Sequence, residues 1–313
     1  MDSIINAVLP VFAIILCGYL AGRFGVLGAE SSEALNRFVY WIALPVLLFH
    51  SMARVEPQEI LNWPFIGAFT GGLAITMALT IVVSMIVFRR RLAEAGLAGM
   101  TSVLGNTSYM GIPLAIAAFG EDARVPAVVA VIIPAIVVVA AAIALIEIGL
   151  SEGRKARIVS DVAAALARNP LVVSALAGIA WSFSGLTLPI PVDRFCGILG
   201  AAAGPSALFA IGLFLVGIPI ARGAPEVGVI TAMKLIVHPL ATWFFAAHVF
   251  DVPPQWTEVG VMMAAVPIGA AAFVVAQNYR LFEDRSSTAI LVSTVVSVLT
   301  LSILFTLGEL WVP

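Results

Sequence analysis

Charge is the scarcest feature of this sequence: among 313 residues, 16 are Lys or Arg and 18 are Asp or Glu, 11% in all. Soluble domains need roughly 25% charged residues to clothe their surface. No such shell can be built around a chain that is 61% hydrophobic with a mean hydropathy of +1.09. Lipid must be the solvent for most of its surface. The net charge of -2 leaves no basic excess to neutralise phosphates, which excludes a nucleic-acid partner. Cysteine is nearly absent too. Cys17 and Cys196 both lie in apolar runs and supply neither a disulfide framework nor a metal cluster, and no cofactor is expected. There is no HExxH, no GxSxG in a strand–turn–helix setting, no Walker loop and no acid pair within a span, so the chain is not expected to be an enzyme. Uphill movement of a solute would then need an ion gradient or a partner protein. The opening Met1-Asp2-Ser3-Ile4 has no basic region and no small-residue cleavage site follows, so the first apolar run is expected to stay in the mature protein.

What the sequence does contain is long apolar runs, at 4–22, 38–53, 64–88, 99–119, 126–149, 170–185, 195–220, 227–250, 258–278 and 288–310. These predict an all-α integral membrane protein of about 10 transmembrane helices. Basic residues fall in alternate loops. Arg89, Arg90, Arg91, Arg154, Lys155 and Arg157 lie on one side with most of the others, whereas Arg54, Arg124 and Arg194 lie on the opposite side. The positive-inside rule then places both termini outside the cytoplasm, in a cell (inner) membrane. The polar stretch 151–169 is predicted to be a cytoplasmic linker helix lying at the interface.

That linker divides the chain into a first repeat, 1–150, and a second, 170–313, of five spans each. An odd number of spans inverts the second copy, giving a 5+5 inverted repeat. The prolines match: Pro45 pairs with Pro205, and Pro113 in span 4 with Pro267 in span 9. Ile112-Pro113-Leu114-Ala115 resembles Val266-Pro267-Ile268-Gly269 in wording. Inverted repeats of this kind mark transporters that alternate access around a midplane site.

The most informative stretch runs from Gly105 through Asn106, Thr107, Ser108, Tyr109, Met110 and Gly111 to Pro113. Proline removes a backbone donor and clashes with the carbonyl four residues back, while glycines permit non-helical dihedrals, so span 4 should break there. Freed amides and a half-helix N-terminus can hold an anion, and irregular backbone at membrane depth is tolerated only where it lines a cavity or is buried in protein. Asn106, Thr107, Ser108 and Tyr109 add side-chain hydrogen bonds. Span 9 repeats the break at Pro267, Ile268 and Gly269 without polar side chains. Prolines in membrane helices more often kink than bind, and Pro45 and Pro205 are read that way. The two matched breaks, one beside an Asn and Gly cluster, are read as a binding site for a small organic anion.

Lys234 and His238 lie four apart in span 8, hence on one helix face. They are candidates for coupling or charge compensation; the alternative for Lys234 is an amine that snorkels to the interface. Glu147 is expected to reach water, and His50 and His248 to be interfacial. Gly18/Gly22 and Gly67/Gly71 fit close helix packing.

Several stretches resemble the auxin efflux carrier family, which includes bacterial malonate and malate carriers: LPVFAIILCGYLAGRFGVL, ALNRFVYWIALPVLLF, GNTSYMGIPLAIAAFG, KLIVHPL and AAVPIGAAAFVVAQNY. The resemblance implies an architecture like that of the bile-acid sodium symporters, with helices 4 and 9 crossing at their prolines. It further implies a scaffold of spans 1, 2, 6 and 7 and an elevator-like transport domain of spans 3–5 and 8–10. Asn106 and Pro113 match its span 4 motif, and Pro267 its span 9 motif. The compact linker looks like that of the bacterial carriers. The expectation is a secondary transporter of small organic carboxylates such as malonate, driven by H+ or Na+. Protons would be carried by Lys234 or His238, and sodium by carbonyls near the breaks. The alternatives are a membrane receptor or sensor for the same anion, and a channel. A homodimer is compatible with this arrangement.

Overall fold

The structure is a computed structural model that describes residues 2–150, 167–216 and 224–308. The linker expected at 151–169 therefore lies outside the described residues except for its last three. Among the described residues every regular element is helical apart from one isolated bridge pair. In lipid a spanning backbone must satisfy its own hydrogen bonds, and these apolar runs do so as helices.

In chain order the helices are α1 (Asp2–Arg23), α2 (Glu30–Ala53), α3 (Trp63–Ile86), α4 (Leu92–Val103), α5 (Ile112–Phe119) and α6 (Arg124–Leu150). They continue with α7 (Pro170–Phe183), α8 (Ile190–Leu215), α9 (Ala224–Val249), α10 (Pro254–Ala265), α11 (Ala271–Tyr279) and α12 (Glu283–Gly308). Six stretches, within or matching α2, α3, α6, α8, α9 and α12, are long and apolar enough to cross a membrane. Helix α2 begins well before the expected residue 38, because Ala29–Phe38 is polar on one face and escapes a hydropathy window.

Among the described residues, three of the four wide turns run into a proline. The turns Val39–Ala43, Thr107–Gly111 and Met233–Val237 are π-helical, and in each case a proline follows two residues later, at Pro45, Pro113 and Pro239. A proline ring cannot donate and crowds the carbonyl one turn back; an extra residue in that turn moves the carbonyl aside and re-pairs it. The amides of Leu44 and His238 accordingly bond five residues back, to Val39 and Met233.

The chain forms two compact units. The first comprises Met1–Asn62, Ser108–Ile132 and Ala167–Gly217. Here α1 packs along α8, α2 packs on α7 and α8, and α5 on α1 and α8. Helices α1 and α8 touch backbone to backbone. A Cβ on Gly18 would strike the Phe209 carbonyl oxygen, and one on Gly212 the Ile15 carbonyl oxygen. We expect Gly212→Ala to destabilise the protein by about 1–3 kcal/mol through overpacking, seen as a lower midpoint in a thermal aggregation assay; an unchanged midpoint would contradict this contact. His50, expected at the interface, is instead 5% exposed and lies 2.9 Å from Asp193 through Nε2. The partner is 143 residues away in sequence, so no local pattern announces it.

The second unit comprises Trp63–Thr107, Ile133–Leu166 and Ile218–Pro313. In it α3 packs on α4 and α9, and α9 packs on α10 and α12. Gly67 and Gly71 make room for the rings of Phe250 and Phe245 rather than for another backbone. Glu147 does not end in water alone: its Oε1 accepts the Tyr279 hydroxyl at 3.0 Å.

At one end of this unit Glu226, 2% exposed, is held by two arginines. Arg90 donates from Nε at 3.0 Å and from Nη2 at 2.8 Å, and Arg285 Nε lies 2.7 Å from Oε2 as an ion pair without hydrogen-bond alignment. Arg89, in the left-handed region at φ 53°, folds the chain back so that the Arg90 amide reaches the Ser84 carbonyl at 3.0 Å. The hydrogen bond to Glu226 raises Arg90 above the usual guanidinium range. Neutralising the carboxylate leaves two cations facing each other. We expect Glu226→Gln to cost about 3 kcal/mol and Glu94→Gln, at the half-buried edge of the cluster, under about 1 kcal/mol; equal thermal midpoints for the two variants would refute the ranking.

Candidate substrate-binding site

The second unit contains two interrupted helices that meet. Helix α4 ends at Val103, and Leu104-Gly105-Asn106 runs on as non-helical backbone; α10 ends at Ala265, and Val266 to Ala270 does the same before α11. The two segments pair antiparallel with Gly105 opposite Ile268. The Asn106 amide donates to the Pro267 carbonyl at 2.7 Å, and the Gly269 amide donates to the Leu104 carbonyl at 2.9 Å. A third amide, that of Ile268, donates to Ser293 Oγ on α12 at 3.1 Å. Gly269 is required by closeness, since a Cβ there would lie 2.9 Å from the Gly105 carbonyl oxygen.

This pairing changes which groups are available. Three amides that the breaks release are consumed by the protein, two in the crossing and that of Ile268 by Ser293 Oγ, so an anion could draw only on those at the helix starts and on side chains. The Asn106 carboxamide makes no hydrogen bond among the described residues and is only half buried.

Lys234 is fully buried and does not reach an interface. Its Nζ donates to the Ala264 carbonyl and lies 3.2 Å from His238 Nδ1. Its end also rests against the first break: a Cβ on Gly105 would stand 3.0 Å from Nζ. Among the described residues it has no carboxylate partner. His238 is buried, its Nε2 has no hydrogen-bond partner among the described residues, and its ring lies 5.9 Å from that of Phe69. Lys234 lies in the wide turn Met233–Val237 and His238 directly after it, and the two still meet.

The second unit thus brings together Asn106, Pro267, Ile268, Gly269, Lys234 and His238, and it includes Thr107, which is buried. Ser108, Tyr109, Gly111 and Pro113 belong to the first unit, where Pro113 packs at the place a Cβ of Gly204 would occupy. One participant escaped the sequence reading: Ser293 sits in an ordinary Ser- and Thr-rich apolar helix and has no sequence signature, whereas Ala264, which contributes its carbonyl, opens the span 9 stretch expected to act through its backbone.

Long apolar helices around interrupted ones define a multi-pass membrane protein. The chain belongs to the membrane transport protein family, the auxin efflux carrier family, whose pattern it matches over residues 3–305. It is 32% identical over 303 residues to a Rhizobium meliloti (strain 1021) protein named "Putative malonate transporter", covering 96% of this chain and 95% of that one. It is 24% identical over 338 residues to auxin efflux carrier component 5 of Arabidopsis thaliana, covering 94% and 93%. It is 27% identical over 223 residues to the mouse (Mus musculus) lysosomal cholesterol signaling protein, covering 67% of this chain and 26% of that one. The relatives named here are transporters or a signaling protein, none of them an enzyme.

Proposed function

We propose that this protein is a secondary carrier of small organic carboxylates that works by alternating access, with the substrate held where the two interrupted helices cross. The observation that carries this reading is the antiparallel pairing of Leu104–Asn106 with Pro267–Gly269, beside a buried Lys234 that has no carboxylate partner among the described residues. A buried cation lacking a counter-charge is costly, and a carboxylate supplies one. Asn106 donates from its free carboxamide, and the first turn of α11, after the second break, adds a positive field.

The same reading takes the chain as ten spans in two inverted repeats, 1–150 and 170–313, joined by the linker 151–169, with both termini outside the cytoplasm. Support for a mobile part comes from the compact units. The first gathers spans 1, 2, 6 and 7, the expected scaffold, and also Ser108–Ile132. That addition differs from the expected division at spans 4 and 5. Its local cause is the packing of α5 on α1 and α8, which the break ahead of α5 permits. The coupling ion is read as the proton, with Lys234 and His238 as its carriers.

The test is uptake of labelled malonate, malate and succinate into proteoliposomes under proton and sodium gradients imposed separately. Accumulation driven by the proton gradient is expected; accumulation driven by sodium alone would remove Lys234 and His238 from coupling. A second reading, a sensor that binds an organic ligand without moving it, is favoured by the likeness to the mouse signaling protein. Saturable binding without uptake under either gradient would establish it over the carrier.

A further inference from the structure

The first unit contains a cavity of about 610 Å³ whose lining residues all lie within that unit. Its size falls in the range of about 300–1,000 Å³ typical of small-molecule sites. His50, Arg54, Glu121 and Arg124 line it, and Pro113 and Cys196 form other parts of its wall. Apart from Pro113, no residue given a role above lines this chamber, and its residue types are unusual for an apolar chain. Arg54 and Arg124 are two of the three arginines that the charge count places on the outer side, and both open onto one space.

Both guanidinium groups are loosely held. Arg54 Nε stands 3.5 Å from Asp193, a long contact, and the Arg54 side chain is 61% exposed. Arg124 pairs through one nitrogen with Glu121, whose side chain is 69% exposed. Pairs with a largely exposed member contribute little, and of the five guanidinium N–H donors Arg124, 27% exposed, commits one to Glu121, whereas Arg54 commits none to Asp193 as a hydrogen bond. A soluble carboxylate can therefore replace Glu121 or Asp193 at little cost. His50 differs: buried and 2.9 Å from Asp193, it is a positioning group on α2 that fixes this carboxylate of α8.

The geometry points to a capture site for the anion in this cavity, separate from the helix crossing, in which Arg54 and Arg124 bind the carboxylates of a short dicarboxylate arriving from outside. It rests on the carboxylate reading above and extends it to a second locus. Two guanidinium groups on one chamber favour a dianion over a monoacid of the same size, and the arginines set the rate of capture more than the final affinity.

Cys196 provides a test that does not depend on transport. In the Cys17→Ser background, the protein in nanodiscs is treated with an anionic methanethiosulfonate (the sulfonatoethyl reagent) or a cationic one (the trimethylammonioethyl reagent), and modification of Cys196 is followed by mass spectrometry. The anionic reagent is expected to react roughly tenfold faster. Millimolar malonate or succinate should slow it, and acetate should protect less. The Arg54→Gln/Arg124→Gln double variant should lose both the preference and the protection. In proteoliposomes that variant should raise KM for external dicarboxylate with kcat preserved. Equal rates for the two reagents, no protection by dicarboxylate, or no modification of Cys196 at all would overturn the capture site. Protection in a protein that carries out no uptake would sustain the capture site and remove the carrier reading. Uptake without protection would do the reverse.

Discussion

Replacing Asn106 with Asp is expected to abolish carboxylate uptake while the protein still inserts and folds. The substitution keeps shape and volume but exchanges an amide donor for a second negative charge at the point where the anion would sit. Two like charges roughly 4 Å apart at an effective dielectric near 20 repel by about 4 kcal/mol, close to a thousandfold in affinity. Asn106→Ala should do less, since it removes one hydrogen bond to a charged group, about 1.5–3 kcal/mol. The backbone pairing of Asn106 with Pro267 uses the main-chain amide and survives both changes. Substrate affinity by equilibrium binding, beside thermal midpoints, separates the site from the fold. Uptake by the Asp variant at the parent rate would remove Asn106 from the site.

The second large effect is expected at Lys234. Lys234→Met preserves length and apolar volume but deletes the charge, and it leaves the Ala264 carbonyl and His238 Nδ1 without their partner. A unit charge roughly 7 Å from a carboxylate, at an effective dielectric near 20, contributes about 2.4 kcal/mol. Affinity should fall about fiftyfold, and proton-driven accumulation should disappear. Arginine should not substitute, because the amine already lies against the Gly105 backbone, where a Cβ would stand 3.0 Å away. An unchanged affinity in the Met variant, or full rescue by Arg, would show that the lysine serves only to tie α9 to α10.

The local part of this architecture is readable from residue order. Apolar runs report the helices, and a proline beside glycines reports where a helix cannot continue, which is how Gly105, Pro113 and Pro267 draw attention. The order of residues does not reveal which distant groups meet. His50 and Asp193 lie 143 positions apart, and Arg90 and Glu226 lie 136 apart; each reads locally as an isolated charge near a helix end. The use of break amides is hidden for a related reason. Proline and glycine show that donors are released, but whether solute or protein takes them depends on the opposing segment, and here Pro267, Leu104 and Ser293 take three of them. Helix starts inside polar or small-residue stretches, such as Leu92–Gly99 in α4, also evade hydropathy because their lipid-facing surface is narrow.

Helix α12 has a consequence for how the protein is made. Translated after every other helix described here, α12 supplies Arg285 to Glu226 and Ser293 to the Ile268 amide. Until it arrives, the second unit holds a buried carboxylate with one arginine instead of two and a crossing with one amide unpaired. Chains that stop ahead of Glu283 should therefore insert yet fail quality control and be degraded, and the arrival of α12 is the step that commits this unit to its native form.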